Sequence, residues 1–197
     1  MRTIVWDIDD VLCPLMRDWF ALAWKPEHPE CTLTYDDIRE NPPHRVLGIE
    51  RADYLASLDA FRSSDIAGRM QPNAELLDWF QRKGDSSRHV ALTARPLESA
   101  PEAAEWLFRH FGRWIRCFGF VPSRPDASTP LYDRNKGDFL QWLGSADLLI
   151  DDSPENIAQA QALGIETHLY PQPWNDGAAR QARLMDILSH ETIGLRN

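Results

Sequence analysis

The sequence predicts an α/β fold built on a doubly wound parallel sheet, and three observations carry that prediction. Five apolar runs have strand length, helical patterns with readable ends lie between them, and the one overlong connection has helical patterns of its own. The runs cover residues 3–6, 88–92, 117–121, 148–150 and 166–169. Most are too apolar for one solvated face, as expected of parallel strands covered on both sides. Asn73 as N-cap and Gly84 as stop bound one helix, and Ser153-Pro154 and Gly164 bound another. A third runs from about Ser99 to Gly112, with Trp106, Leu107 and Phe111 at core-facing spacing. Strands alternating with helices imply right-handed crossovers, with the ligand site at the carboxyl ends of the strands.

The first crossover is too long for a single βαβ unit, which needs about 30 residues. Residues 14–71 are surplus and carry helical patterns around 15–24, 35–39 and 52–61, so a small helical cap inserted after the first strand is expected. The expected division is a Rossmann-like core of residues 1–13 and 72–197 and a cap of 14–71. Residues 122–135, with three prolines, form the other long loop.

The chain has 197 residues, 43% hydrophobic and 26% charged, enough for one core with an appendage. Lys and Arg total 21 against 30 Asp and Glu, and the net charge of -9 disfavours a nucleic-acid polymer as partner. A small phosphorylated ligand held through a cation remains compatible with that charge. Cys13, Cys31 and Cys117 are odd in number and far apart, so they read as reduced thiols rather than a disulfide framework or a zinc site. No window approaches a membrane span, and Asp7, Asp9 and Asp10 follow Trp6 too soon for a secretory signal. A soluble, cytoplasmic protein with no membrane partner is the expectation; the oligomeric state is not legible.

Each strand end carries a polar group of a definite kind: Asp7-Ile8-Asp9-Asp10 after the first, Thr93-Ala94-Arg95 after the second, Asp151-Asp152 after the fourth, with Lys136 opening a helix. Singly, an Asp at a strand end is more often a turn or cap residue, and Lys136 a solvated charge. Together, Asp7, Asp9, Asp151 and Asp152 would repel one another unless a divalent cation neutralised them. Mg2+ suits hard oxygen ligands that leave room for water and substrate phosphate.

These stretches resemble the haloacid dehalogenase-like superfamily of aspartyl-phosphate hydrolases. Its four motifs are matched in order by Val5-Trp6-Asp7-Ile8-Asp9-Asp10-Val11-Leu12, Ala91-Leu92-Thr93, Lys136, and Leu149-Ile150-Asp151-Asp152. The resemblance implies Asp7 as nucleophile and Asp9 as acid/base, with Thr93, Ala94 and Lys136 holding the phosphoryl group. It implies Asp7, the Asp9 main-chain carbonyl and Asp152 around the metal, with Asp151 beside them. Asn156 is expected to orient Lys136 or Asp152, or to serve as a helix-start residue. To be protonated near neutral pH, Asp9 is expected to have a raised pKa, through neighbouring carboxylates and cap closure.

Within the superfamily the likeness is to the 5'-nucleotidase and 5'(3')-deoxyribonucleotidase branch. It rests on the cap after the first strand, Leu92-Thr93-Ala94-Arg95-Pro96, the stretch Leu149 to Ile157, and Gln172-Pro173-Trp174-Asn175. The implied reaction is Mg2+-dependent hydrolysis of a small phosphomonoester such as a (deoxy)nucleoside monophosphate. A sugar phosphate or another metabolite is the alternative substrate, and a non-catalytic phospho-acceptor or binding module the alternative class. The aromatics Trp19, Phe20, Trp24, Tyr35, Tyr54 and Phe61 read mainly as cap interior. His44, Arg45, Arg95, Arg124 and Arg134 read as solvated charges rather than ligand contacts, and His89 and His168 as core histidines.

Overall fold

A computed structural model describes residues 1–175 and Leu188. The expected core segment 72–197 therefore runs past 175 into positions that, apart from Leu188, lie outside the described residues. The strands are β1 (Thr3–Trp6), β2 (Arg88–Arg95), β3 (Ile115–Pro122), β4 (Leu148–Asp151) and β5 (Glu166–Leu169). They form one parallel sheet in the order β3-β2-β1-β4-β5. The chain builds outward from β1 to β3 on one side, then returns to add β4 and β5 on the other. That reversal opens a crevice beyond the carboxyl ends of β1 and β4.

All four residues of β1 are buried, because helices cover both sheet faces. Its side chains alternate: Ile4 and Trp6 join one apolar cluster, while Val5 joins Leu92, Val121 and Leu149 in the other. Helix α1 (Arg51–Arg62) lies in the insert. Helices α2 (Ala74–Lys83) and α3 (Ala100–Phe111) send Trp79, Phe80, Leu107 and Phe111 into the Trp6 cluster. Helices α4 (Lys136–Leu143) and α5 (Pro154–Ala162) cover the other face with Phe139, Leu140 and Ile157. Gly119 on β3 permits this close approach, since a Cβ there would overlap the Phe139 ring.

β2 extends to Arg95, three residues beyond its expected end, so Thr93, Ala94 and Arg95 belong to the strand rather than follow it. The cause is β3, which pairs with β2 as far as Arg95 opposite Pro122.

The insert after β1 is largely helical, with Trp19, Phe20, Trp24, Tyr54 and Phe61 buried and Tyr35 partly buried. They share one apolar cluster with Trp6, so no solvent layer divides the insert interior from the sheet face beneath it. The chain leaves and re-enters the sheet layer side by side, with Asn73 N–H donating to Leu12 O at 2.8 Å.

His89 is a satisfied core histidine. Trp6 Nε1 donates to its Nδ1 at 3.1 Å, and its Nε2 faces Gly84 O at 2.8 Å, a pairing that fixes the neutral tautomer. Burial outweighs the Gly84 and Asp85 contributions and lowers its pKa to about 4. The folded-state value is depressed, so the stabilisation is complete above the unfolded value of about 6.5 and is lost as pH falls toward the folded one. The loss expected from this group is about 3 kcal/mol. Urea midpoints measured between these limits should fall more steeply for the wild type than for His89→Gln; parallel curves would refute the assignment.

Candidate active site

The reversal between β1 and β4 brings three carboxylates together. Asp7 follows β1, Asp151 ends β4 and Asp152 follows it, and their ligand oxygens lie within 4.8 Å of one another. All three are buried. Lys136, the first residue of α4, is also buried and bridges two of them, with Nζ 2.8 Å from Asp7 Oδ1 and 2.7 Å from Asp151 Oδ2. A lysine at a helix N-terminus opposes the helix dipole, so these carboxylates hold it against an unfavourable local field. Asn135 caps α4 through its side chain, at 3.0 Å from Asp138 N.

The carboxylates divide by what remains uncommitted. Asp151 Oδ2 is taken by Lys136, and its Oδ1 accepts from Ser153 N at 2.9 Å and Asn156 Nδ2 at 3.0 Å. Asn156, on the first turn of α5, therefore meets Lys136 only through Asp151, the carboxylate they share. Asp7 Oδ1 accepts from Ile8 N at 2.7 Å and from Lys136, leaving Oδ2. Asp152 Oδ2 accepts from Trp174 Nε1 at 2.9 Å, leaving Oδ1. Burial first, then neighbouring carboxylates, push Asp7 and Asp152 well above the usual carboxylate range, against the pull of Lys136. Lys136 itself is raised, since Asp151 and Asp7 outweigh its desolvation. Uncompensated negative charge on two buried carboxylates with free oxygens is the donor chemistry that a hard divalent cation fits.

A cavity of about 160 Å³ opens onto this cluster, lined by Asp7, Asp9, Thr93, Ala94, Lys136, Asp152 and Asn156 on the sheet side. Thr93 is fully buried, and its Oγ1 has no hydrogen-bond partner. An orphaned buried hydroxyl is costly unless a ligand satisfies it. Asp10 holds a left-handed backbone at φ 60, which Asp tolerates better than most side chains. Its Oδ1 accepts from Met16 N at 2.8 Å, tying the turn after β1 to the start of the insert. A wider cleft of about 790 Å³, lined by Asp10, Arg17, Tyr35 and Arg69 among others, has neither Lys136 nor any of the three clustered aspartates among its described lining residues.

Two sequence expectations are corrected at Asp9. Arg95 is not a solvated charge: it is buried, and its Nε donates to both Asp9 oxygens at 2.9 and 3.1 Å while its Nη2 also contacts Oδ1. Nor is the Asp9 pKa raised here. Burial pushes it up, but Arg95 and Arg62 together outweigh that and hold the carboxyl below its ordinary value. Arg62, at the end of α1, was not singled out from sequence, yet its Nη2 stands 3.3 Å from Asp9 Oδ2. The other arginines behave as surface charges, Arg45 against Glu40, Arg124 against Asp59 and Arg134 against Asp138.

No protein-family model matches the sequence, and no curated protein matches it. Solved structures do match its fold. A haloacid dehalogenase-like family hydrolase from Streptococcus pneumoniae aligns with TM-score 0.62 and 16% identity over 94% of this chain and 90% of its own. A HAD-superfamily hydrolase of subfamily IA, variant 1, from Geobacter sulfurreducens gives 0.55 and 12% over 95% and 96%. A HAD family hydrolase from Deinococcus radiodurans, solved with bound phosphate and sodium, gives 0.52 and 17% over 93% and 88%. With near-complete coverage in both directions, the chain has the fold of the haloacid dehalogenase-like hydrolases.

Proposed function

We propose that this chain is a Mg2+-dependent phosphomonoester hydrolase that works through an aspartyl-phosphate on Asp7. One observation carries the reading: the buried Thr93 with its orphaned hydroxyl, the Lys136 ammonium and Asp7 with its free oxygen line one cavity. Thr93 and Lys136 supply the donor and the positive charge that a phosphoryl group needs, and the Ala94 segment completes the wall. Asp7, Asp152 and the Asp9 main-chain carbonyl would hold the ion, which when bound would offset phosphoryl and carboxylate charge. Asp151 and Asn156 keep Lys136 in place.

In the first step an Asp7 oxygen bonds to phosphorus as the ester P–O bond breaks, and Asp9 gives its proton to the departing alkoxide. In the second, Asp9 takes a proton from water as the water attacks phosphorus and releases Asp7. The ion-paired Asp9 of this structure is the base of the second step; acting as acid requires loosening from Arg95 and Arg62. We take residues 14–71 as a cap over a core of 1–13 and 72–197, with Arg62 of the cap reaching Asp9 of the core.

The substrate is a small phosphometabolite. The 160 Å³ cavity is open on one side, so it houses the phosphoryl group and the first atoms of the leaving group, and the (deoxy)nucleoside monophosphate suggested by the branch likeness and a sugar phosphate are both candidates. No described helix is long and apolar enough to cross a membrane. The three free cysteines fit a reducing, cytoplasmic compartment.

A panel of phosphomonoesters plus a generic aryl phosphate, assayed for phosphate release, tests the reading. Release with Mg2+ that falls about 10³-fold under EDTA and returns on adding Mg2+ is expected. No release from any compound overturns it and leaves the phospho-acceptor or binding-module alternative.

A further inference from the structure

We infer that Arg62 is a specificity-determining residue on the leaving-group side, selecting phosphomonoesters whose short leaving group carries its own anion, a carboxylate or second phosphate. The inference rests on the phosphatase reading and narrows its substrate class.

Arg62 is a surplus cation. Asp9 already has Arg95, bound through two nitrogens, and Asp59 already has Arg124 at 2.5 Å. Arg62 adds one contact to each, both at 3.3 Å, longer than the 2.7–2.9 Å of a good charge-assisted bond. Its Nε is buried with no partner, and the side chain is only 11% exposed. A largely buried guanidinium with one orphaned N–H and two long contacts has donor capacity to spare, and it lines the catalytic cavity.

Position decides which part of the substrate it meets. Lys136 and Thr93 lie on the sheet side, where the phosphoryl group is held. Arg62 comes from the insert and adjoins Asp9, the group that serves the leaving oxygen. The rest of that end is walled by Leu15, Met16, Asn41, Tyr54 and Leu58. Among the described residues of that wall Tyr54 is the one aromatic; it packs edge-on against Trp19 at 5.3 Å, and its hydroxyl contacts Met16 Sδ. The described residues there supply no further ring for a base to stack on. The space and charge suit two or three carbons ending in an anion.

Four phosphate esters test this in the intact protein with Mg2+: phosphoglycolate for the carboxylate, propane-1,3-diol bisphosphate for the second phosphate, ethyl phosphate as neutral match, and an aryl phosphate. At least one anionic ester is expected to exceed ethyl phosphate in kcat/KM by roughly 10- to 100-fold, the usual effect of a hydrogen bond to a charged group. Arg62→Gln should collapse that ratio toward one, and Arg62→Lys should keep part of it. Equal wild-type rates on anionic and neutral esters overturn the inference, whether or not the variants fold. An equal loss on all esters in Arg62→Gln also overturns it, since Arg62 would then serve the phosphoryl group or Asp9. Absence of turnover on every ester, the aryl phosphate included, is instead failure of the phosphatase reading.

Discussion

Asp7→Asn is expected to lower phosphate release by about 10⁴-fold or more, the scale on which loss of a covalent nucleophile registers. The substitution is nearly isosteric. Its amide oxygen still accepts from Ile8 N and Lys136 Nζ, now at 2.7 and 2.8 Å, so the local backbone and the lysine keep their bonds. What disappears is the negative charge and the nucleophilic oxygen. Stability should move the other way. The folded-state pKa of Asp7 is raised, chiefly by burial, so the protonated carboxyl stabilises the fold below the unfolded value of about 3.9. That contribution is lost as pH rises through the folded pKa. At neutral pH without metal, asparagine removes an unfavourable charge, and the melting temperature in EDTA should rise. Activity assays and thermal melts on the same preparation check both halves. A melting temperature that falls together with activity would show that Asp7 serves the fold rather than the chemistry.

The parts of this site legible in the sequence were those fixed by strand ends. Parallel strands put their carboxyl ends on one edge, so Asp7, Thr93 and Asp152 could be assigned to one place from their positions after apolar runs. Lys136 was assigned from the helix it opens and from its place in the order of the four motifs. Arg95 was misread because an arginine just past an apparent strand end looks solvated. Only the extension of β2 along β3, set by pairing between distant segments, turns it inward onto Asp9. Arg62 left no local trace at all. On α1 it pairs with Asp59 at i,i+3, an ordinary surface pattern, and its second contact spans 53 positions in sequence. The sense of the Asp9 pKa failed for the same reason: nearby carboxylates were visible in the sequence, but the two arginines that outweigh them were not. The branch likeness to nucleotidases rests on strand-end motifs and on the place of the insert in the chain, whereas the cavity is shaped by how the insert packs.

Lys136→Met should be the most destabilising single change at the site. The lysine is almost wholly buried between Asp7 and Asp151, and methionine fills a similar volume while leaving both carboxylates without their cation. Removing one partner of a buried ion pair costs about 3–5 kcal/mol. For a chain of this size that is a fall of roughly 10 °C in melting temperature. The pH dependence has a definite sign. The folded-state pKa of Lys136 is raised, so its contribution is present below the unfolded value of about 10.4 and lost only as pH rises through the folded one. The deficit of Lys136→Met should therefore span neutral pH and shrink in acid, where protonated carboxyls no longer need an ammonium. Pairing it with Asp7→Asn separates charge from packing. If the loss is unpaired charge, the double variant should be more stable than Lys136→Met alone, because one of the two stranded carboxylates is gone. If the loss is packing, the double variant should be no better than the single. Turnover should fall in both, since methionine offers nothing to a phosphoryl oxygen, and Mg2+ should restore stability more than activity. Urea titrations of the three variants with and without Mg2+ measure these differences, and a double variant no more stable than Lys136→Met would refute the electrostatic account of the buried lysine.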